Sequence, residues 1–147
     1  MKRSSGFSPV EVLATLALAA LLMGMGVSNL RLLGNPAQSA AADLAQLLRQ
    51  ARTKAMISSS AYTVFPISPG RIAVRHGKNC TDPNAVLDEK LRLKFPSGVN
   101  LADTQWSVCF ASKGLPTDKV EVYVRDLANS SLNAAVEVNL RGPITVR

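Results

Sequence analysis

The sequence predicts an α+β chain: a long N-terminal helix, membrane-spanning in its first half and amphipathic in its second, packed on a C-terminal antiparallel β domain. Three observations carry that prediction. Residues 7–30 hold a single charge, Glu11, in an otherwise uncharged and mostly apolar run. Residues 36–58 place small and apolar side chains three and four positions apart, the period of one helix face. From residue 59 onward apolar and polar residues alternate between turn-forming residues, the period of strands with one wet face.

The apolar run is long enough to cross a bilayer. Twenty-four residues make a helix of roughly 36 Å against a hydrocarbon layer of about 30 Å. Leucines and methionines supply the apolar surface, and Ala14, Ala17, Ala19 and Ala20 allow close helix approach. Lys2 and Arg3 before the run favour a cytoplasmic N-terminus. A cleaved secretory signal fits less well, because a carboxylate heads the run and no small-x-small site follows it; Ala17-Leu18-Ala19 lies inside. An acid buried at the centre of such a helix costs about 2.5–3.5 kcal/mol, so Glu11 should have a use or a partner.

Gly24 and Gly26 weaken the helix, and Gly34-Asn35-Pro36 interrupts it. Asn35 is a good N-cap and Pro36 a natural first helical residue. Beyond them Ala40, Leu44, Leu47, Leu48, Ala51 and Ala55 share one face, with Gln46, Arg49, Gln50 and Lys54 off it. Two readings stand: one long helix loosened near residues 24–36, or a loop between a membrane anchor and a separate helix. Strands are expected at Tyr62–Phe65, Ile72–Arg75, Lys90–Phe95, Trp106–Phe110, Val120–Val124, Ala135–Leu140 and Ile144–Val146. The domains are therefore 1–6, 7–58 and 59–147. The last, about ninety residues, suffices for one modest core.

The N-terminal residues resemble the class III leader of type IV pilins and pseudopilins: a short basic leader ending in Gly6, then Phe7, then Glu11 fifth from Phe7, at the head of the apolar run. Pro9 departs from the apolar residue usual there, which a first helical turn tolerates. The resemblance implies a pilin-like fold, a leader at residues 1–6 cut by prepilin peptidase between Gly6 and Phe7, N-methylation of Phe7, and a role for Glu11 in assembly. It also implies a single pass of the inner membrane with a periplasmic domain, then incorporation with other pilin or pseudopilin subunits into a pilus or a type II secretion pseudopilus. In such a stack the Glu11 carboxylate would neutralise the new amino group of a neighbour's Phe7. Pairing two charges in a low-dielectric bundle removes most of the penalty each suffers alone. The alternative is that Glu11 sits at headgroup depth beside its own N-terminus. Phe110-Ala111-Ser112-Lys113-Gly114-Leu115-Pro116 and the ending Val136–Ile144 resemble, more loosely, the minor pilins and pseudopilins of the FimT/GspH group.

Cys80 and Cys109 lie in the part that would reach an oxidising compartment. A bridge between them would stabilise by about 3–4 kcal/mol; two free buried thiols are the other reading. No enzyme is indicated. The single histidine, His76, beside Arg75 and Lys78, has no nucleophile or base partner and reads as solvated. No phosphate loop or metal spacing occurs, and Asp82, Asp88 and Glu89, expected in a loop, lack the spacing of a calcium site. No cofactor is expected.

The net charge of +7 falls to +5 without Lys2 and Arg3. Lys90, Arg92 and Lys94 fall on one strand face, Arg71, Arg75 and Lys78 form a second group, and Arg141 and Arg147 lie near the C-terminus. Lys90, Arg92, Lys94, Arg141 and Arg147 are the candidates to hold DNA phosphates without sequence preference. Some FimT-type minor pilins are associated with DNA uptake, so the resemblance makes DNA the alternative partner. The plainer reading is that these cations keep the wet face of a sheet soluble.

Overall fold

The computed structural model describes residues 34–147 together with Val10 and Leu13, both helical and exposed. Gly6, Phe7 and Glu11 lie outside the described residues, as does nearly all of the apolar run. Asn35–Arg147 form one compact unit. Its helix α1 spans Pro36–Ser58, and eight strands follow: β1 (Ala61–Ser68), β2 (Arg71–Gly77), β3 (Val86–Lys94), β4 (Val99–Leu101), β5 (Val108–Phe110), β6 (Val120–Asp126), β7 (Asn133–Val138) and β8 (Ile144–Val146). Among the described residues no helix is long and apolar enough to cross a membrane.

Helix α1 starts where its local chemistry directs. Asn35 Oδ1 accepts from the amides of Ala37 (3.0 Å) and Gln38 (3.3 Å), and Pro36 occupies the first turn, where its missing N–H costs nothing. The helix ends at Ser59, whose φ of 51° is left-handed. Its buried face is built largely from alanine: Ala37, Ala40, Ala41, Ala45, Ala51 and Ala55 are at most 1% exposed. With so little side chain between them, backbone and sheet pack closely, and Leu44 and Leu48 fill the remaining space.

The strands form two four-stranded antiparallel sheets, ordered β3-β2-β1-β5 and β4-β6-β7-β8. Alternate residues of each sheet face α1. Val64, Ile72, Val74, Val108 and Phe110 come from the first, and Val122, Val124, Val136 and Val138 from the second, all in one core with Leu44 and Leu48. Burying each such side chain contributes about 1.5–3 kcal/mol, so this shared core is what holds both sheets to one helix.

The strand bounds differ from expectation in instructive places. Trp106 and Ser107 precede β5 rather than joining it, and β7 stops at Val138. The short β4 was not expected; it pairs Val99, Asn100 and Leu101 with Asp126, Arg125 and Val124. Asp88 and Glu89 lie in β3 and not in a loop, while Asp82 sits in the preceding turn and accepts from the amides of Lys78 (2.8 Å) and Asn84 (2.9 Å). His76 is half-buried rather than solvated, its ring stacked on Tyr62 at 5.6 Å between centroids. Cys80 and Cys109 form a disulfide with a Cα–Cα distance of 5.8 Å.

Candidate functional site

The basic residues singled out from the sequence fall on both sheets, and a bulge in β3 lies among those of the first. Ala73 of β2 pairs with Arg92, but Arg75, two residues on, pairs with Leu87. The four residues Asp88–Leu91 of β3 therefore stand against Val74 alone, three more than a regular ladder holds, and the ladder breaks there. The bulge is tied to the helix: Lys54 Nζ contacts Asp88 Oδ2 at 2.7 Å, and the Lys90 amide donates to Asp88 Oδ1 at 2.9 Å. Burial works against ionising Asp88, but the hydrogen bonds from Lys54 and the Lys90 amide outweigh it and hold the carboxyl below its usual range. Lys90 lines a groove of about 470 Å³ beside Gln46, Arg49, Gln50 and Thr53 of α1, and Arg92 borders the next hollow along the helix, with Asp43, Gln46, Leu47 and Gln50.

Arg92 and Lys94 stand on the outer face of the first sheet. Register places Lys94 opposite Arg71, and Arg92 opposite Ala73, which in turn faces Phe65. Arg75 belongs to the same face, with its guanidinium carbon 5.5 Å from the centre of the Phe65 ring. Arg71, Arg92 and Lys94 ring a shallow cleft of about 390 Å³ that has Ile67, Ala73 and Leu87 in its floor. Among the described residues, the one carboxylate paired with them is Glu89, 3.1 Å from Arg92. Arg71 and Arg75 were grouped from the sequence but not joined to Arg92 and Lys94, because only strand pairing brings them together.

Arg141 and Arg147 belong to the second sheet. Arg141 is exposed in the turn between β7 and β8. Arg147 is engaged: its Nη2 lies 3.0 Å from Glu137 Oε2, while Lys119 Nζ lies 2.8 Å from Glu137 Oε1. These two cations cover a carboxylate that is only 8% exposed. The Lys119 hydrogen bond is the main cause of a lowered Glu137 pKa; burial opposes it and Arg147 reinforces it. A carboxyl with a folded-state pKa below its unfolded one adds stability above the ordinary glutamate range. That stability is lost as pH falls through the lower, folded value. Glu137→Gln is therefore expected to flatten the acid limb of the stability–pH curve, read as unfolding midpoints between neutral pH and pH values below the usual 4.5. An unchanged acid limb would show that the pair contributes no linkage.

The last turns of α1 are clasped by two loops through glycines. Gly114 has φ +72°, and a Cβ there would lie 2.6 Å from Met56 Cγ. Gly142 has φ +100°, and a Cβ there would lie 2.6 Å from an Arg52 guanidinium nitrogen. Arg52 donates to the Gly142 carbonyl and Arg49 to that of Ile144, at 2.9 Å for the latter. Among the described residues no group of histidine, cysteine and carboxylate side chains is arranged to hold a metal.

One helix laid across two antiparallel sheets, with short β5 and β8 closing an edge of each, is an arrangement with solved counterparts. No protein-family model and no curated protein matches the chain. The minor pseudopilin EpsH from the Type 2 Secretion System of Vibrio cholerae superposes with a TM-score of 0.59 at 15% identity, over 76% of this chain and 95% of that one. The type IV minor pilin FimU of Pseudomonas aeruginosa gives 0.61 at 15% identity, over 77% of this chain and 89% of that one. The chain has the fold of the minor pilins and pseudopilins. A second EpsH crystal structure agrees, at 0.60 and 12% identity over 78% and 97%. At such identities the likeness is one of fold. Within this pilin-like fold, the two stretches that loosely resemble the FimT/GspH group are the ones that contain Gly114 and Gly142.

Proposed function

We propose that this chain is a minor pilin or pseudopilin, a structural subunit and not an enzyme, processed by prepilin peptidase and assembled through its N-terminal helix. The observation that carries this is the coincidence of two independent features. The Asn35–Arg147 unit matches minor pilin and pseudopilin structures over most of their length, and the residues before it read as a leader, a cleavage point and an acid-headed apolar run. The subunit would sit in the inner membrane by residues 7–30, with the globular domain periplasmic, until it joins a pilus or a type II secretion pseudopilus. Glu11 would meet the methylated amine of a neighbouring Phe7.

Mass spectrometry of the protein from membranes is expected to find an N-terminus at methylated Phe7; an unprocessed Met1 N-terminus would defeat the reading. Glu11→Ala is expected to be processed and to remain in the membrane, yet to be missing from sheared filaments or from crosslinks to other subunits. The DNA-receptor alternative draws less support. Its five residues are divided between the two sheets, with Lys90, Arg92 and Lys94 on β3 and Arg141 and Arg147 at the β7–β8 end, and Arg147 is already paired with Glu137.

A further inference from the structure

The outer face of the first sheet meets an open strand edge. In the order β3-β2-β1-β5, β3 is terminal, and among the described residues no strand pairs with its outer side. The Phe95 amide donates inward, to the Gly70 carbonyl at 2.9 Å. Antiparallel ladders alternate, so the backbone groups of Arg92 and Lys94 point outward, away from β2. Their side chains stand on the outer face with Arg71 and Arg75, while Leu93 turns inward against the core. The Asp88–Leu91 bulge blunts the earlier part of the edge, which leaves Arg92–Lys94 as the stretch able to pair.

We propose that this edge takes an extended segment of a partner protein as an added strand, with acidic side chains at alternate positions seated against Arg71, Arg92 and Lys94. The backbone of the segment would satisfy the outward N–H and C=O groups, and alternate residues would land on the outer face, where the cations are. The floor of the cleft agrees with a peptide. Leu87 on β3 is 47% exposed, apolar surface that the methylenes of the outward-facing acidic side chains would cover. A nucleic acid would leave both the strand edge and this floor unused. The aromatic ring on the face, Phe65, is already capped by Arg75 and offers no stacking platform.

The test uses the full chain in non-ionic detergent and a short fluorescent peptide alternating glutamate and valine, read by anisotropy. Binding is expected, with loss by about tenfold or more in Arg92→Glu/Lys94→Glu and no change in Arg141→Glu, which lies on the other sheet. The same peptide N-methylated at alternate backbone amides keeps its charge but cannot pair as a strand, and is expected to lose binding to the same degree. Equal binding of the N-methylated peptide would reduce the site to a charge effect and overturn the proposal. So would absence of binding, the outcome if Arg92 and Lys94 serve only to keep the edge from pairing, and so would tighter binding of a short DNA duplex than of the peptide.

Discussion

Removal of the disulfide, as Cys80→Ser/Cys109→Ala, is expected to lower the stability of the domain by about 3–4 kcal/mol. The bridge joins residues 29 apart, and closing a loop of that size removes about this much entropy from the unfolded chain in the chain-entropy model. The folded state has little else to offset the loss. Cys109 belongs to β5, a strand of three residues at the sheet edge that is held by pairing Val108–Phe110 with Tyr62–Val64 of β1. Cys80 lies in the turn-rich segment between β2 and β3. Denaturant unfolding followed through Trp106 should show a lower midpoint for the double variant. Reductant should lower the parent's midpoint to the same level and leave the variant untouched. A parent indifferent to reductant would sink this expectation.

Gly142→Ala is expected to cost about 2–4 kcal/mol, from two separable sources. A φ of +100° strains any L side chain, and a Cβ at 2.6–2.8 Å from the Arg52 guanidinium must displace the group that donates to the Gly142 carbonyl. Gly98 supplies the control. It has φ +90° with nothing within 4 Å of an added Cβ, so Gly98→Ala measures backbone strain alone. The excess cost of Gly142→Ala over Gly98→Ala then reports the hold of Arg52 on the β7–β8 turn. Equal costs would mean that the clasp adds nothing.

Where local chemistry decides structure, the sequence was readable. Asn35-Pro36 placed the start of α1, the alanine and leucine spacing placed its buried face, and period-two alternation placed β1, β2, β3, β6, β7 and β8 near their observed positions. Three-residue β4 escaped notice because Val99-Asn100-Leu101 is too short to show a period, and it exists only by pairing with β6. The β3 bulge escaped for a similar reason. Alternation from Lys90 to Phe95 looks unbroken, and only the register against β2 shows that Lys90 is left out of the ladder to which Arg92 and Lys94 belong. The cation cluster with Arg71 and Arg75 is likewise a product of pairing. His76 looked solvated beside its charged neighbours, whereas its cross-strand partner Tyr62 shelters it.

The bridge between Cys80 and Cys109 has a mechanical consequence. The chain it encloses contains β3 of the first sheet and β4 of the second, so one covalent ring is threaded through both. If the protein is drawn out by its ends, tension runs through the sulfur atoms and bypasses this ring. About 100 Å of contour is thereby withheld from extension. The two sheets can part from α1, but the stretch that stitches them together does not lengthen.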